Sequence, residues 1–406
     1  MLPQQMNRSS DVLIVGAGPA GLSLSIALAQ AGLRSTLVEQ QPEEALAAPA
    51  PDGREIALTH PSVAKLQRLG SWQRLAEHEV GLLREAQVHD GPVGQRSAMQ
   101  LHAGGTGVQH LGWIVPNHAL RRTAYEVAAR TAGVQIVSSA KVTRVAVSAT
   151  HAALEYTDAA GDAQQLEAPL VVAADSRFSS TRRMLGIGAR MRDFGKSMLV
   201  CRMQIEVPHQ HTAWEWFGYG RTMALLPLNG DQASAVITLP PRQIEALMAQ
   251  DPARFGQSIT DLFEQRLGAM VPSAAPVAYP LVGVYANAFV GDRCALIGDA
   301  AVGMHPVTAH GFNLGLAGAH RLASVLNQAA ARGGDIGAPA GLARFERGHR
   351  LASRPLYEAT NAIATLYTDD RLPARMLRRA GLRLAHGVTP FRQLIAAHLT
   401  QREARV

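Results

Sequence analysis

Between Asp11 and Glu39 the chain holds an arrangement that few folds accept: an apolar run, three glycines at fixed spacing, a second apolar run and an acid. Val12-Leu-Ile-Val15 reads as a short buried strand and Gly16-Ala-Gly18-Pro-Ala20-Gly21 as a turn. A helix to Ala31 follows, and Ser35 to Glu39 reads as the next strand. In such a β-α-β unit Gly16 permits the tight turn, Gly18 lets the backbone approach a pyrophosphate, and Gly21 lets helix and strand pack closely. The helix start offers free N–H groups and a positive dipole to phosphates, and Glu39 can accept from a ribose hydroxyl. The glycines alone decide little. Glycine fills 37 of 406 positions, so three at this spacing arise by chance ~0.3 times in such a chain. The strand before, the helix after and the acid at the second strand end are what point to a dinucleotide.

Val12 to Leu33 carries no charge and is long enough on paper to span a membrane. The glycine pattern, Pro19 and the lack of an Arg- or Lys-rich leader favour strand, turn and helix instead, so a cytoplasmic chain is expected. With 47% apolar and 17% charged residues the chain is globular, not disordered. Two distant cysteines, Cys201 and Cys294, exclude a disulfide scaffold, a CxxC redox pair and a cysteine-rich zinc site. No metal is expected. The net charge of +7 sits entirely in residues 371–406, which hold eight arginines and one acid, Glu403. Within that tail Met376, Leu377, Ala380 and Leu384, and then Phe391, Leu394, Ile395 and Leu399, recur at helical spacing. A basic amphipathic helix suits a peripheral membrane contact or a partner, and equally a solvated face of a packed helix. No nucleic-acid-binding module is recognisable.

Further along, 41–53 reads as a loop, 61–80 and 117–132 as helices, Val134–Val137 as a strand and 141–167 as hairpin-like. Antiparallel strands are predicted over 196–240, a helix over 242–269, a strand over Cys294–Ile297, a Gly/Ala-rich helix over Gly311–Ala331 and a linker over 332–341. Nucleotide-binding elements thus stand at both ends of the chain. The expected layout is a discontinuous cofactor domain (1–80, 108–185 and 283–335), a substrate domain (81–107 and 186–282) and a C-terminal helical basic region (340–406).

Two further strand-end motifs follow buried runs. One is Asp175-Ser-Arg-Phe-Ser179-Ser-Thr-Arg182 after Val171–Ala174. The other is Gly298-Asp299-Ala300-Ala301 after Arg293–Ile297, continuing through His305-Pro306 to His310-Gly311-Phe312-Asn313-Leu-Gly315. With the first glycine turn, these resemble the flavoprotein aromatic hydroxylases. Thr212-Ala-Trp-Glu-Trp-Phe217, Val115-Pro-Asn117-His-Ala-Leu120 and Arg54-Glu-Ile-Ala-Leu58 narrow the likeness to the ubiquinone-biosynthesis hydroxylases (the UbiH/UbiF/VisC family). Val302-Gly-Met-His305-Pro306 to Asn313 looks like their UbiM branch. The likeness spans about residues 10–370. The chain departs from the usual pattern at Ser176, Val302, His310 and Gly318, where Gly, His, Gln and Asp are usual.

The resemblance implies an α/β fold with a Rossmann-like FAD-binding domain (GR2/PHBH-type), an inserted antiparallel-sheet substrate domain and C-terminal helices. It implies non-covalent FAD, NAD(P)H or another reductant, and O2. Reduced flavin would form a C4a-hydroperoxide that hydroxylates the ring of a polyprenylated phenol or quinol such as demethoxyubiquinol, with a quinone-synthesis complex as a partner. FAD is expected on Gly16, Gly18, Ala20, Gly21, Glu39, Arg54, Asp175, Gly298, Asp299, Gly311, Phe312 and Asn313. Arg54, Pro306 and His310 are expected at the reacting centre. His310 and His305 can also be purely structural, and His60 reads as a loop residue. Trp214 and Trp216 share one strand face, which can line an isoprenoid tunnel or fill the sheet core. The alternatives kept open are a soluble phenolic substrate, a weakly active assembly component and an isoprenoid reductase.

Overall fold

The computed structural model describes residues 10–90, 99–103, 108–218, 221–306 and 310–368; the basic tail 371–406 and Thr308–Ala309 lie outside the described residues. Five short strands form a parallel sheet in the order Cys294–Leu296, Leu170–Ala173, Val12–Val15, Ser35–Val38, Val134–Val137, with Val290–Gly291 antiparallel at one edge. The central strands are buried on both faces and accordingly read as unbroken Val/Ile/Leu runs. One face packs the helices Pro19–Ala29, Asn117–Ala128 and Gly311–Ala331. The other packs a three-stranded antiparallel sheet over 141–168, through Val145, Leu154 and Tyr156.

A second, nine-stranded sheet is built from the strands Glu85–Asp90 and Met99–His102 and from strands between Ala189 and Gly303. Its longest strand, Ala189–Ile205, shifts register between Asp193 and Ser197, a bulge that bends it. Helices Pro241–Met248 and Pro252–Leu262 cover one face. The opposite face meets a small sheet of Glu55–Leu58, Gly112–Pro116 and Gly81–Leu83, and the end of the long helix Pro339–Thr368.

The helix expected over 61–80 ends at Leu69, because Gly70 takes a left-handed φ of 83° and caps it. His60 is the first residue of that helix, behind the Thr59 N-cap, rather than a loop residue. The helix expected over 242–269 is two helices. Asp251 caps the second by accepting from Arg254 N at 3.0 Å, and Pro252 opens it. Within the expected 41–53 loop, Glu43–Ala47 forms a short helix with two acids in its first turn.

Candidate active site

The three glycines of the first turn do different work. Gly16 has φ 104°, and a Cβ there would lie 2.6 Å from Ala174 O. A Cβ on Gly21 would lie 2.1 Å from Gly16 O. Gly18, the N-cap of the Pro19–Ala29 helix, faces open space, with nothing within 4 Å of an added Cβ and no side chain capping the helix. Two glycines therefore close the turn, and the third leaves a helix N-terminus bare for an anionic group. Glu39 braces this turn: Oε2 accepts from Ala17 N at 2.7 Å and Oε1 from Gln41 N at 2.9 Å. Each oxygen keeps a lone pair for a ribose hydroxyl.

Gly298 stands directly opposite. It takes φ 59°, and a Cβ there would lie 3.0 Å from Ala20 Cβ; a Cβ on Gly315 would lie 3.4 Å from Gly298 Cα. The starts of two helices and one strand-end turn thus share a cradle that side chains would fill, and Gly311 also faces open space. These residues fit a flavin dinucleotide stretched between the two helix starts. Asp299 accepts from Arg177 Nη2 at 3.0 Å, and Arg177 Nη1 donates to Val282 O at 3.1 Å.

Asp175 is turned to its own segment, accepting from Ser179 Oγ at 2.5 Å and from Thr181 N at 3.0 Å. Arg182, only 3% exposed, donates to Ala300 O at 2.9 Å and to Arg177 O at 3.2 Å. The Asp175–Arg182 segment is therefore a clamp on the Gly298–Ala300 turn, and Arg177, which sequence reasoning did not single out, makes the contact with Asp299. Ser176, in the place of the usual glycine, has φ 89°, a left-handed backbone that costs a serine energy.

At the start of the Gly311–Ala331 helix, Asn313 Nδ2 donates to Ala57 O at 2.8 Å and its Oδ1 accepts from Thr59 N at 3.2 Å. This ties the helix to the Glu55–Leu58 strand. Phe312 packs half-buried against the core, His310 is the helix N-cap, and Pro306 is half-buried. His305 is buried edge-on to Phe194 with ring centres 4.7 Å apart. Burial and the nearby Arg177 push its pKa down to about 4, so it is neutral at physiological pH. Gly318, where Asp is usual, has a packing partner: a Cβ there would lie 2.9 Å from the ring of His349, which is 1% exposed.

On the substrate side, Arg54 donates from Nη2 to Asp52 at 2.6 Å and stands 5.5 Å above the Tyr279 ring. Asp52 also accepts from Asn117 Nδ2 at 2.7 Å, and Tyr279 Oη donates to Asp52 O at 2.6 Å. Burial alone would lift the Asp52 carboxyl, but Arg54 and Asn117 outweigh it and hold it below its ordinary range. Next in the strand, Glu55 pairs with Arg202 at 2.6 Å and its side chain is 2% exposed. Here burial outweighs the cation, and the Glu55 pKa is raised. Sequence reasoning missed Asp52, Glu55, Arg202 and Tyr279. For Glu55, Arg202 and Tyr279 the only signal is a charged or phenolic residue alternating with apolar ones in a strand, and Asp52, in the loop before Glu55–Leu58, carries none. Trp214 and Trp216 pack with Phe255, Ile259 and Phe263 under the covering helices, so they are sheet core and line no tunnel on the cofactor side. Among the described residues no helix is long and apolar enough to cross a membrane.

The FAD binding domain family matches residues 9–343. Ubiquinone hydroxylase UbiM of Neisseria meningitidis is 44% identical over 97% of this chain and 85% of that protein. Ubiquinone hydroxylase UbiL of Rhodospirillum rubrum is 32% identical over 97% and 90%, and 3-demethoxyubiquinol 3-hydroxylase of Escherichia coli 28% over 93% and 95%. Among solved structures, Pseudomonas aeruginosa PqsL in complex with 2-aminobenzoylacetate superimposes with a TM-score of 0.77 at 21% identity, covering 92% of this chain and 99% of that one. Pseudomonas putida p-nitrophenol 4-monooxygenase PnpA gives 0.75 at 16% identity, covering 97% and 99%. The chain is an FAD-dependent monooxygenase, and it belongs to the FAD-binding family that contains these ubiquinone hydroxylases.

Proposed function

We propose that this enzyme hydroxylates the aromatic ring of a polyprenylated ubiquinone precursor such as demethoxyubiquinol. The observation that carries the reading is the 44% identity to a ubiquinone hydroxylase along nearly the whole chain. Bound FAD would supply the redox chemistry, with NAD(P)H as the reductant and O2 as the oxidant, one oxygen atom going to the ring and the other to water.

The protein binds, orients and excludes water. The Gly16, Gly18, Ala20 and Gly21 turn holds the pyrophosphate against the helix start, and Glu39 holds the adenosine ribose. Gly298 and Asp299 hold the ribityl chain, with Arg177 orienting the Asp299 carboxylate. Asp175 acts at one remove, by fixing the segment that carries Arg177. Gly311, Phe312 and Asn313 place the second helix start at the pyrimidine edge, where its dipole favours negative charge. Arg54, Pro306 and His310 border the reacting centre, Arg54 being steered by Asp52 and Tyr279. The arginines of 371–406 support a peripheral contact with an anionic membrane or with a quinone-synthesis complex, which would bring the enzyme to a prenylated substrate.

The test is quinone mass spectrometry in bacterial strains lacking each endogenous ring hydroxylase, with this gene expressed. Restored ubiquinone in one strain identifies the ring position, and restoration in several shows broad regioselectivity. Yellow, folded protein with no restoration in any strain overturns the reading.

A further inference from the structure

We infer that Glu215 is a substrate-binding residue whose carboxyl receives the ring hydroxyl of a phenol or quinol. This rests on the hydroxylase reading above and adds to it the group that orients the ring.

Glu215 lies between Trp214 and Trp216, which both point into the core beneath the covering helices. Its side chain therefore leaves the opposite face of the sheet. That face is the one turned to the cofactor side: Arg202 and Tyr279 stand on it and bond to Glu55 and Asp52, beside Arg54. Across the strands Glu215 is flanked by Ala224 and Val88, and along its own strand by Ala213 and Phe217. The wall around it is thus apolar, with Val88 and Phe217 packed on one side against Ile363 and Leu366 of the long helix and Ala213 on the other against the small sheet.

A carboxyl in such a wall ordinarily has a cation or a donor beside it. Among the described residues Glu215 has neither hydrogen bond nor ion pair. It is not sealed in either. The residue is half-buried, and its carboxyl oxygens face accessible space. The dense surroundings raise its pKa well above the ordinary carboxyl value, which favours the protonated form. A protonated carboxyl carries one donor and one acceptor side by side, which matches the donor and acceptor of a ring hydroxyl. The apolar flank suits the ring itself and its hydrocarbon substituent. An unsatisfied carboxyl is costly to keep on a sheet that leucine would suit better, and a ligand that satisfies it accounts for its presence.

The experiment uses the FAD-loaded enzyme, wild type and the variants Glu215→Leu and Glu215→Gln, titrated with a 2-prenylphenol and with its methyl ether. Binding is read from the perturbation of the flavin absorption band, which needs no turnover. Wild type is expected to bind the phenol at least ten-fold tighter than the ether. Glu215→Leu is expected to lose that preference by weakening the phenol about ten-fold and leaving the ether unchanged, while its melting temperature does not fall. Glu215→Gln, which keeps a donor and an acceptor, is expected to retain part of the preference and stands in should the leucine variant misfold. A wild type without the preference, or a leucine variant that keeps it, overturns the inference. The two readings fail separately. A phenol preference with no ubiquinone formed in the complementation strains sinks only the quinone-synthesis reading. Undiminished ubiquinone formation and phenol preference in Glu215→Leu sink only the role of Glu215.

Discussion

The two faces of the nine-stranded sheet are made by the same strands and obey different rules. On the helix-covered face, Cys201, Met203, Trp214, Trp216, Leu225 and Ile237 close on Phe255, Ile259 and Phe263. Even the polar groups there are absorbed by rings. His89 stacks on Trp216 at 5.2 Å and Arg266 lies 4.8 Å above Trp214. Burial, with Arg266 nearby, pushes the His89 pKa down to about 4, so it is neutral. On the cofactor-side face the intervening residues include Arg202, Glu215 and Tyr279, which reach out to loops or into open space. One face is closed by apolar packing throughout, and the other carries polar side chains between its contacts with the small sheet and the long helix. Parity along a strand decides which of two adjacent residues does which.

The largest expected effect falls on the first face. Trp216→Ala should cost about 3–5 kcal/mol of stability, read as a lower denaturation midpoint, with the phenol preference of the remaining folded enzyme intact. A stable Trp216→Ala protein with altered substrate preference would break the division of labour.

Arg202→Met should cost about 2–3 kcal/mol, less than a sealed pair because Arg202 is partly exposed, since it leaves the buried Glu55 carboxylate alone. The Glu55 pKa is already raised and rises further without its cation. The loss should therefore be greatest at high pH and shrink on acidification, as Glu55 takes up a proton. Adding Glu55→Gln should remove this pH dependence.

Glu215→Leu should go the other way and stabilise by about 1–2 kcal/mol at neutral pH. The Glu215 carboxyl has a higher pKa folded than unfolded, so its favourable contribution is complete below the unfolded value of 4.5 and is lost as the pH rises through the folded value. Thermal melts should show little of the gain below pH 4.5 and a growing gain as the pH rises from there toward the folded value. A leucine variant that is equally stabilised at every pH would contradict an ionisable cause.

Tyr279→Phe should cost about 1 kcal/mol by removing the bond to Asp52 O. It should lower turnover more than stability, because it frees the loop that holds Arg54. Ser176→Gly, on neither face, should stabilise by about 1 kcal/mol by relieving the left-handed serine, with no change in substrate preference.

Much of the cofactor side is legible in the sequence because its motifs are local. The Val12–Gly21 turn needs only a strand, three glycines and a helix, and the Gly311–Ala331 helix runs over the residues its composition suggests. What could not be read depends on partners distant in the chain. Alternation places Trp214 and Trp216 on one side, but only the packing of helices 241–262 decides which side is core. That Asp175 also accepts from Ser179 and Thr181 shows only once its segment is folded. Gly318 looks like a loss until His349, from the following helix, is found in the space. Gly70 and Asp251-Pro252 did carry readable stop and start signals, and the apolar periodicity running past them hid the breaks.

The clamp of Arg177 and Arg182 on the Gly298–Ala300 turn has a consequence for how the chain is made. The Leu170–Ala173 strand leaves the ribosome with one edge unpaired, since its neighbour Cys294–Leu296 is synthesised about 120 residues later. At 5–20 residues per second that edge waits roughly 6–24 s. During this interval the first glycine turn exists but the opposing half of the cradle does not, and Arg182 has no Ala300 carbonyl to meet. Cofactor loading that needs both halves of the cradle would therefore follow closure of the sheet. An apoprotein starved of flavin would expose its weakness at this seam, between the two halves that the clamp joins, where an open strand edge invites aggregation.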